Sequence, residues 1–118
     1  MVESEAKDKI MPMEEAVKKF VQDGYFLGIA SVGEPTPVAA IHEVARQKKR
    51  DLTVIQAGSS MEIEILIGTG CAKRFISSYV YRVRSGERAY DRGVKKYNVE
   101  VEDYTNYTLH LQMRHVQP

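Results

Sequence analysis

The pair Glu102-Asp103 stands ahead of an apolar-periodic stretch carrying Tyr104, Tyr107, Leu109, Leu111 and Met113, and reads as the start of a last helix over residues 103–115. A side-chain oxygen there caps free helix amides. The same carboxyls, placed at a strand-to-helix turn, also suit the positioning of substrate or water. Two small-residue stretches, Ala30-Ser31-Val32-Gly33 and Ala57-Gly58-Ser59-Ser60, follow apolar runs. Their backbone amides are candidates to hold an oxyanion or another anion, with Ser31, Gly33, Gly58 and Ser59 as lining residues, and tight-turn geometry calls for the same residue types. Glu62 and Glu64 lie two apart on a short predicted helix, so their side chains diverge. They read as a solvated first turn favoured by the helix dipole rather than as an acid/base pair.

The remaining reactive side chains point to no known chemistry. His42, His110 and His115 have no metal-ligand spacing, and Gly28, Gly33 and Gly58 spell neither GxGxxG nor a P-loop. Cys71 follows Gly-Thr-Gly without a neighbouring base and reads as a small buried residue.

The elements that must position these residues centre on residues 25–60. Phe26-Leu27-Gly28-Ile29-Ala30 and Leu52-Thr53-Val54-Ile55 are short apolar runs bounded by turn signals, and both read as buried strands. Between them Val38, Ala40, Ile41, Val44 and Ala45 recur at spacings of three and four, which predicts a crossover helix. A strand, helix and parallel strand connect right-handedly, and ligands in such sheets sit beyond the carboxyl ends of the strands. That directs attention to residues 31–37 and 56–60.

Flanking this unit, a scaffold helix is expected after Pro12, with a stripe of Met13, Ala16, Val17, Phe20 and Val21 and a stop at Asp23-Gly24. Met61, Ile63, Ile65, Leu66 and Ile67 predict a short apolar helix ending at Gly68-Thr69-Gly70. Residues 75–81 have the composition of a third strand. Residues 84–96 are crowded with charge and, if helical, contribute little to the core. Val99-Glu100-Val101 reads as a short strand. The expected fold is α/β, an open and mostly parallel sheet with βαβ crossovers.

One domain fits 118 residues, with residues 1–8 polar and expected to be mobile. The chain stops after its last helix without a returning strand, which suggests a fragment of a longer protein or a fold completed by a partner. Hydrophobic residues make up 43% and charged ones 28%, and 17 basic against 16 acidic side chains give a net charge of +1, a balance that suggests no nucleic-acid partner. No run is long enough to span a bilayer, and the amino terminus lacks the apolar core of a signal peptide, so the expected location is cytoplasmic.

The order of motifs resembles the amino-terminal part of class I coenzyme A transferase alpha subunits. Lys9-Ile-Met-Pro-Met-Glu-Glu-Ala-Val17, Asp23-Gly24, Pro37-Val-Ala-Ala-Ile41 and Asp51-Leu-Thr53 carry the likeness. Ile65-Leu-Ile-Gly-Thr-Gly70 with Lys73, and Val101-Glu-Asp-Tyr104, look most like the glutaconate CoA-transferase branch. The resemblance implies one member of a heteromer, paired with a beta subunit, that moves CoA between an acyl-CoA thioester and a carboxylic, expectedly dicarboxylic, acid. The nucleophilic glutamate would lie on the partner, and coenzyme A would enter as substrate with no permanently bound cofactor. Where the family has Gly-Gly-Phe after its first strand this chain has Ala30-Ser31-Val32, and its second loop is thinned to Gln56-Ala57-Gly58-Ser59-Ser60. Two alternatives stand beside the transferase: a thioester or ring hydrolase of the same family, and a non-catalytic assembly module with an exposed apolar edge covered by homo-association.

Overall fold

A computed structural model describes residues 10–29, 36–80 and 88–115 of the chain. In order these form α1 (Met13–Phe20), β1 (Phe26–Gly28), α2 (Val38–Arg46), β2 (Leu52–Ser59), α3 (Met61–Gly68), β3 (Ala72–Val80), α4 (Ala89–Tyr97), β4 (Glu100–Asp103) and α5 (Asn106–His115). The strands make one sheet, ordered β1-β2-β3-β4, with every neighbouring pair parallel. This is the open α/β architecture that the apolar runs and their intervening helix predict.

Sequential order fixes where the helices go. Right-handed crossovers that step repeatedly in one direction put their helices on one face of the sheet. Accordingly Ile41 and Val44 of α2, and Ile63, Leu66 and Ile67 of α3, join Leu52, Val54 and Phe75 in one core, with Val17 of α1 at its margin. α5 lies on the opposite face, where Leu109 packs with Ile55, Ala57 and Ile76. β2 is therefore covered on both sides, which explains its nearly unbroken run of buried residues.

Several expectations need correction. β1 is an edge strand, and Phe26 is 56% exposed. A short apolar run announces a strand but not its rank in the sheet. Only Val17 of the α1 stripe is buried, while Met13 and Phe20 face outward. β2 continues through Gln56-Ala57-Gly58-Ser59, residues read as a loop, and β3 begins at Ala72.

The charged segment before residue 97 contributes more to the core than its composition suggests. Tyr90 meets Phe75 edge-on at 6.2 Å between ring centroids, and Val94 packs beside it. Gly93 is buried where α4 crosses α3, and a Cβ there would lie 2.5 Å from the Ile67 carbonyl oxygen. Glu102 and Asp103 belong to β4, in register with Ile76 and Ser77, and the last helix starts only at Asn106.

Candidate functional site

All four strands point the same way, so their carboxyl ends share one rim of the sheet, where residues from different elements converge. Gly58 and Ser59 end β2 there, in register with Tyr79 and Val80 of β3, and Ser60 leads directly into α3. These are strand residues held by β3, which corrects the expectation of a free loop offering its amides. Among the described residues β1 pairs with β2 as far as Gly28 opposite Ile55, and the Ile29 N–H donates to the Ile55 carbonyl at 3.0 Å. Ser31 and Gly33 lie outside the described residues.

Tyr79 folds its ring over Gly58. A Cβ at Gly58 would come within 2.6 Å of the ring carbon and hydroxyl, so glycine is required for this contact unless the ring moves. The phenol, 40% exposed, is the largest side chain at the end of β3. Beside it, the Ser59 hydroxyl donates to the Tyr79 carbonyl at 3.4 Å. The Ser78 hydroxyl lies between the Ala57 carbonyl and the Asn106 side-chain amide at the start of α5.

Behind this rim is a buried polar pair that the sequence reading missed. Gln56 is fully buried, and its Nε2 donates to Oε1 of Glu62, itself only 2% exposed. Ser60 adds its backbone N–H to the same oxygen at 3.3 Å and its hydroxyl to the other at 3.4 Å. Burial of a carboxyl requires such hydrogen bonds, and the free amides of a helix start assist it. Oε1 of Gln56 is buried and has no hydrogen-bond partner among the described residues. Glu62 is thus not part of a solvated turn. Glu64 is half-buried and serves a neighbour: its carboxylate accepts from the Tyr90 N–H at 2.9 Å, near the start of α4, and lies 3.4 Å from Arg88. The signal was a Gln on an apolar strand followed, six residues on, by a Glu inside an apolar helix.

The acidic pair divides. Glu102 accepts from Arg74 Nε at 2.7 Å and from the Tyr104 hydroxyl at 3.1 Å. The hydrogen bond from Arg74 chiefly holds its carboxyl below the ordinary range, with a lesser contribution from Tyr104. A carboxylate so occupied is a poor proton acceptor. Asp103 is exposed at the last position of β4. The sequence reading joined the two as a helix start, and the structure separates them by partner and exposure.

Cys71 is fully buried at the opposite end of the sheet, with Thr69 Oγ1 3.3 Å from its sulfur, which agrees with the reading of a small packed residue. Among the described residues no three His, Cys, Asp or Glu side chains are grouped to hold a metal, and no helix is long and apolar enough to cross a membrane.

Comparison with known proteins places this rim in context. Residues 10–113 match the family model described as Coenzyme A transferase. The chain is 34% identical over 71 residues to one subunit of the 3-oxoadipate CoA-transferase of Pseudomonas knackmussii, an alignment covering 60% of this chain and 25% of that protein. It is 27% identical over 108 residues to one subunit of the glutaconate CoA-transferase of Acidaminococcus fermentans, covering 87% and 33% respectively. The crystal structure of the Acidaminococcus fermentans enzyme superposes with a TM-score of 0.76 at 25% identity, over 88% of this chain and 34% of that one. A decarboxylase, AibA/AibB, shares the fold with a TM-score of 0.74 at 22% identity, over 88% of this chain and 41% of that one. The aligned part of the chain thus spans a third or less of the length of these two curated relatives.

Proposed function

Because this chain belongs to the coenzyme A transferase family, we propose that it supplies part of a site in which CoA moves between an acyl-CoA thioester and a carboxylic acid, expectedly a dicarboxylic one. The nucleophilic glutamate comes from a beta subunit. Its carboxylate attacks the thioester carbonyl, the C–S bond breaks, and CoA leaves as thiolate from an acyl-glutamyl anhydride. The thiolate then attacks the glutamyl carbonyl, freeing the first acid and leaving a glutamyl-CoA thioester for the second acid. Each attack gathers negative charge on a carbonyl oxygen, so fixed donors at that oxygen lower the barrier.

The observation that carries this reading is the carboxyl-end rim itself, where Gly58, Ser59 and Tyr79 meet beside the start of α3. In this reading Gly58 and Ser59, with Ser31 and Gly33, line the acyl-CoA side. Asp103, at the end of β4, assists by orienting substrate, while Glu102 holds the frame through Arg74 and Tyr104. The relatives are themselves named as subunits, which supports an assembly of two kinds of chain.

The test is co-expression with a beta-type subunit of the same family, followed by size exclusion and an assay of CoA exchange between acetyl-CoA and dicarboxylic acids. A stable complex that exchanges CoA, and loses that exchange in Gly58→Ala without falling apart, supports the reading. A stable complex without exchange, or exchange indifferent to Gly58→Ala, contradicts it.

A further inference from the structure

We propose that Glu62 and Gln56 are positioning residues: the hydrogen bond between them fixes the turn from β2 into α3 and, through Ser60, the placement of Gly58 and Ser59 on the carboxyl rim. The proposal deepens the CoA-transfer reading of that rim and rests on it. The bond from Gln56 Nε2 to Glu62 Oε1 joins a strand residue to a helix residue, so it closes over Ala57 to Met61, the whole transition between the two elements. Gly58, Ser59 and Ser60 lie inside that closure.

Ser60 shows which partner governs the turn. A serine just before a helix ordinarily accepts a hydrogen bond from a first-turn amide. Here its side chain makes no such bond. Its N–H is turned to Glu62 Oε1 at 3.3 Å and its hydroxyl to Oε2 at 3.4 Å, so both of its donors follow the buried carboxyl rather than the helix. A change at Glu62 therefore reaches Ser60 first, and Ser59 and Gly58 through the backbone.

The location and the cost of the pair argue for direction rather than stability. Among the described residues the buried polar side chains are Gln56, Ser59, Glu62 and Ser77, and they gather at this one corner, with Gln56 and Ser77 in register on neighbouring strands. The core beneath α2 and α3 is otherwise apolar. Replacing both partners of a buried hydrogen bond by apolar groups of the same shape is nearly neutral, whereas a buried acceptor left unmet, as Gln56 Oε1 is among the described residues, lowers stability. Two leucines would hold β2 and α3 together without that loss. Apolar contact is non-directional, and a hydrogen bond demands a distance and an angle. What the polar pair adds is a defined turn.

The experiment replaces the pair by leucines, Gln56→Leu with Glu62→Leu, in a complex of this chain with the proposed beta-type subunit. Stability to denaturant should be equal or higher, while kcat for CoA exchange from acetyl-CoA falls about tenfold or more and KM changes less, because a displaced turn costs the transition state more than binding. Glu62→Gln keeps an oxygen for Ser60 and for Gln56, and should restore most of the rate lost in the leucine pair. An unchanged kcat, a kcat that falls only in step with stability, or no restoration by Glu62→Gln overturns the proposal. A parent complex without CoA exchange overturns the reading of the rim as well, which separates the two failures. If the leucine pair does not fold, nuclear magnetic resonance of the chain decides: the Gln56 side-chain amide should be protected from solvent exchange, and Glu62→Gln should shift it together with the Ser60 amide. An unprotected Gln56 amide, or a shift at neither group, overturns the proposal.

Discussion

Under α2, α3 and α4 the sheet buries Leu52, Val54 and Phe75 completely, whereas under α5 only Ile55, Ala57, Ile76 and Leu109 close a smaller cluster. The first face is held by many interlocking side chains and by a helix crossing tight enough to demand Gly93. The second hangs on one fully buried anchor, Leu109, with Tyr104 and Met113 partly covered and a polar strut of Arg74, Glu102 and Tyr104 alongside. The first face is thus a finished core. The second is a single helix resting on the sheet through a small apolar cluster.

The contrast predicts unequal costs. Phe75→Ala removes the ring that meets Tyr90 and leaves a cavity in the larger core. It should lower stability by about 3–5 kcal/mol, a large share of a domain's total, and chemical denaturation measures it. Equal stability in mutant and parent would mean that the first face is not the principal core. Leu109→Ala should cost about 2–3 kcal/mol and act locally. Hydrogen exchange in α5 should rise sharply while β2 and α3 keep their protection. Global loss of protection would show that the two faces fold as one unit.

The smallest effect concerns the strut. Glu102 has its carboxyl lowered by Arg74, so its contribution is present above the ordinary carboxylate range and is lost as pH falls through the lowered value. Acid titration of stability should therefore lose part of its drop in Glu102→Gln, with parent and variant converging at low pH. Parallel acid titrations would mean that Arg74 and Glu102 contribute nothing measurable.

Local pattern was legible wherever a single element decides it. The apolar run Leu52 to Ile55 announced β2, and the recurrence of Ile41 and Val44 announced α2. What failed depended on pairing. Nothing in Phe26-Leu27-Gly28 says whether a second strand lies on one side or both. Glu102-Asp103 before a periodic stretch looks like a cap, and only the register with Ile76 and Ser77 makes it a strand. Gly58 and Ser59 were found as small residues near the rim, but their reason, the Tyr79 ring, sits on another strand. Glu62 is buried because Gln56 reaches it from β2, a contact between elements that helical spacing cannot reveal.

The most direct test compares amide exchange in a complex of this chain with the proposed beta-type subunit, with and without acetyl-CoA. Protection gained at Ile29, Ser59, Ser60 and Tyr79, on the carboxyl rim, is the predicted result. Protection gained instead at Arg50, Asp51, Gly70 and Cys71, at the amino ends of β2 and β3, would contradict it.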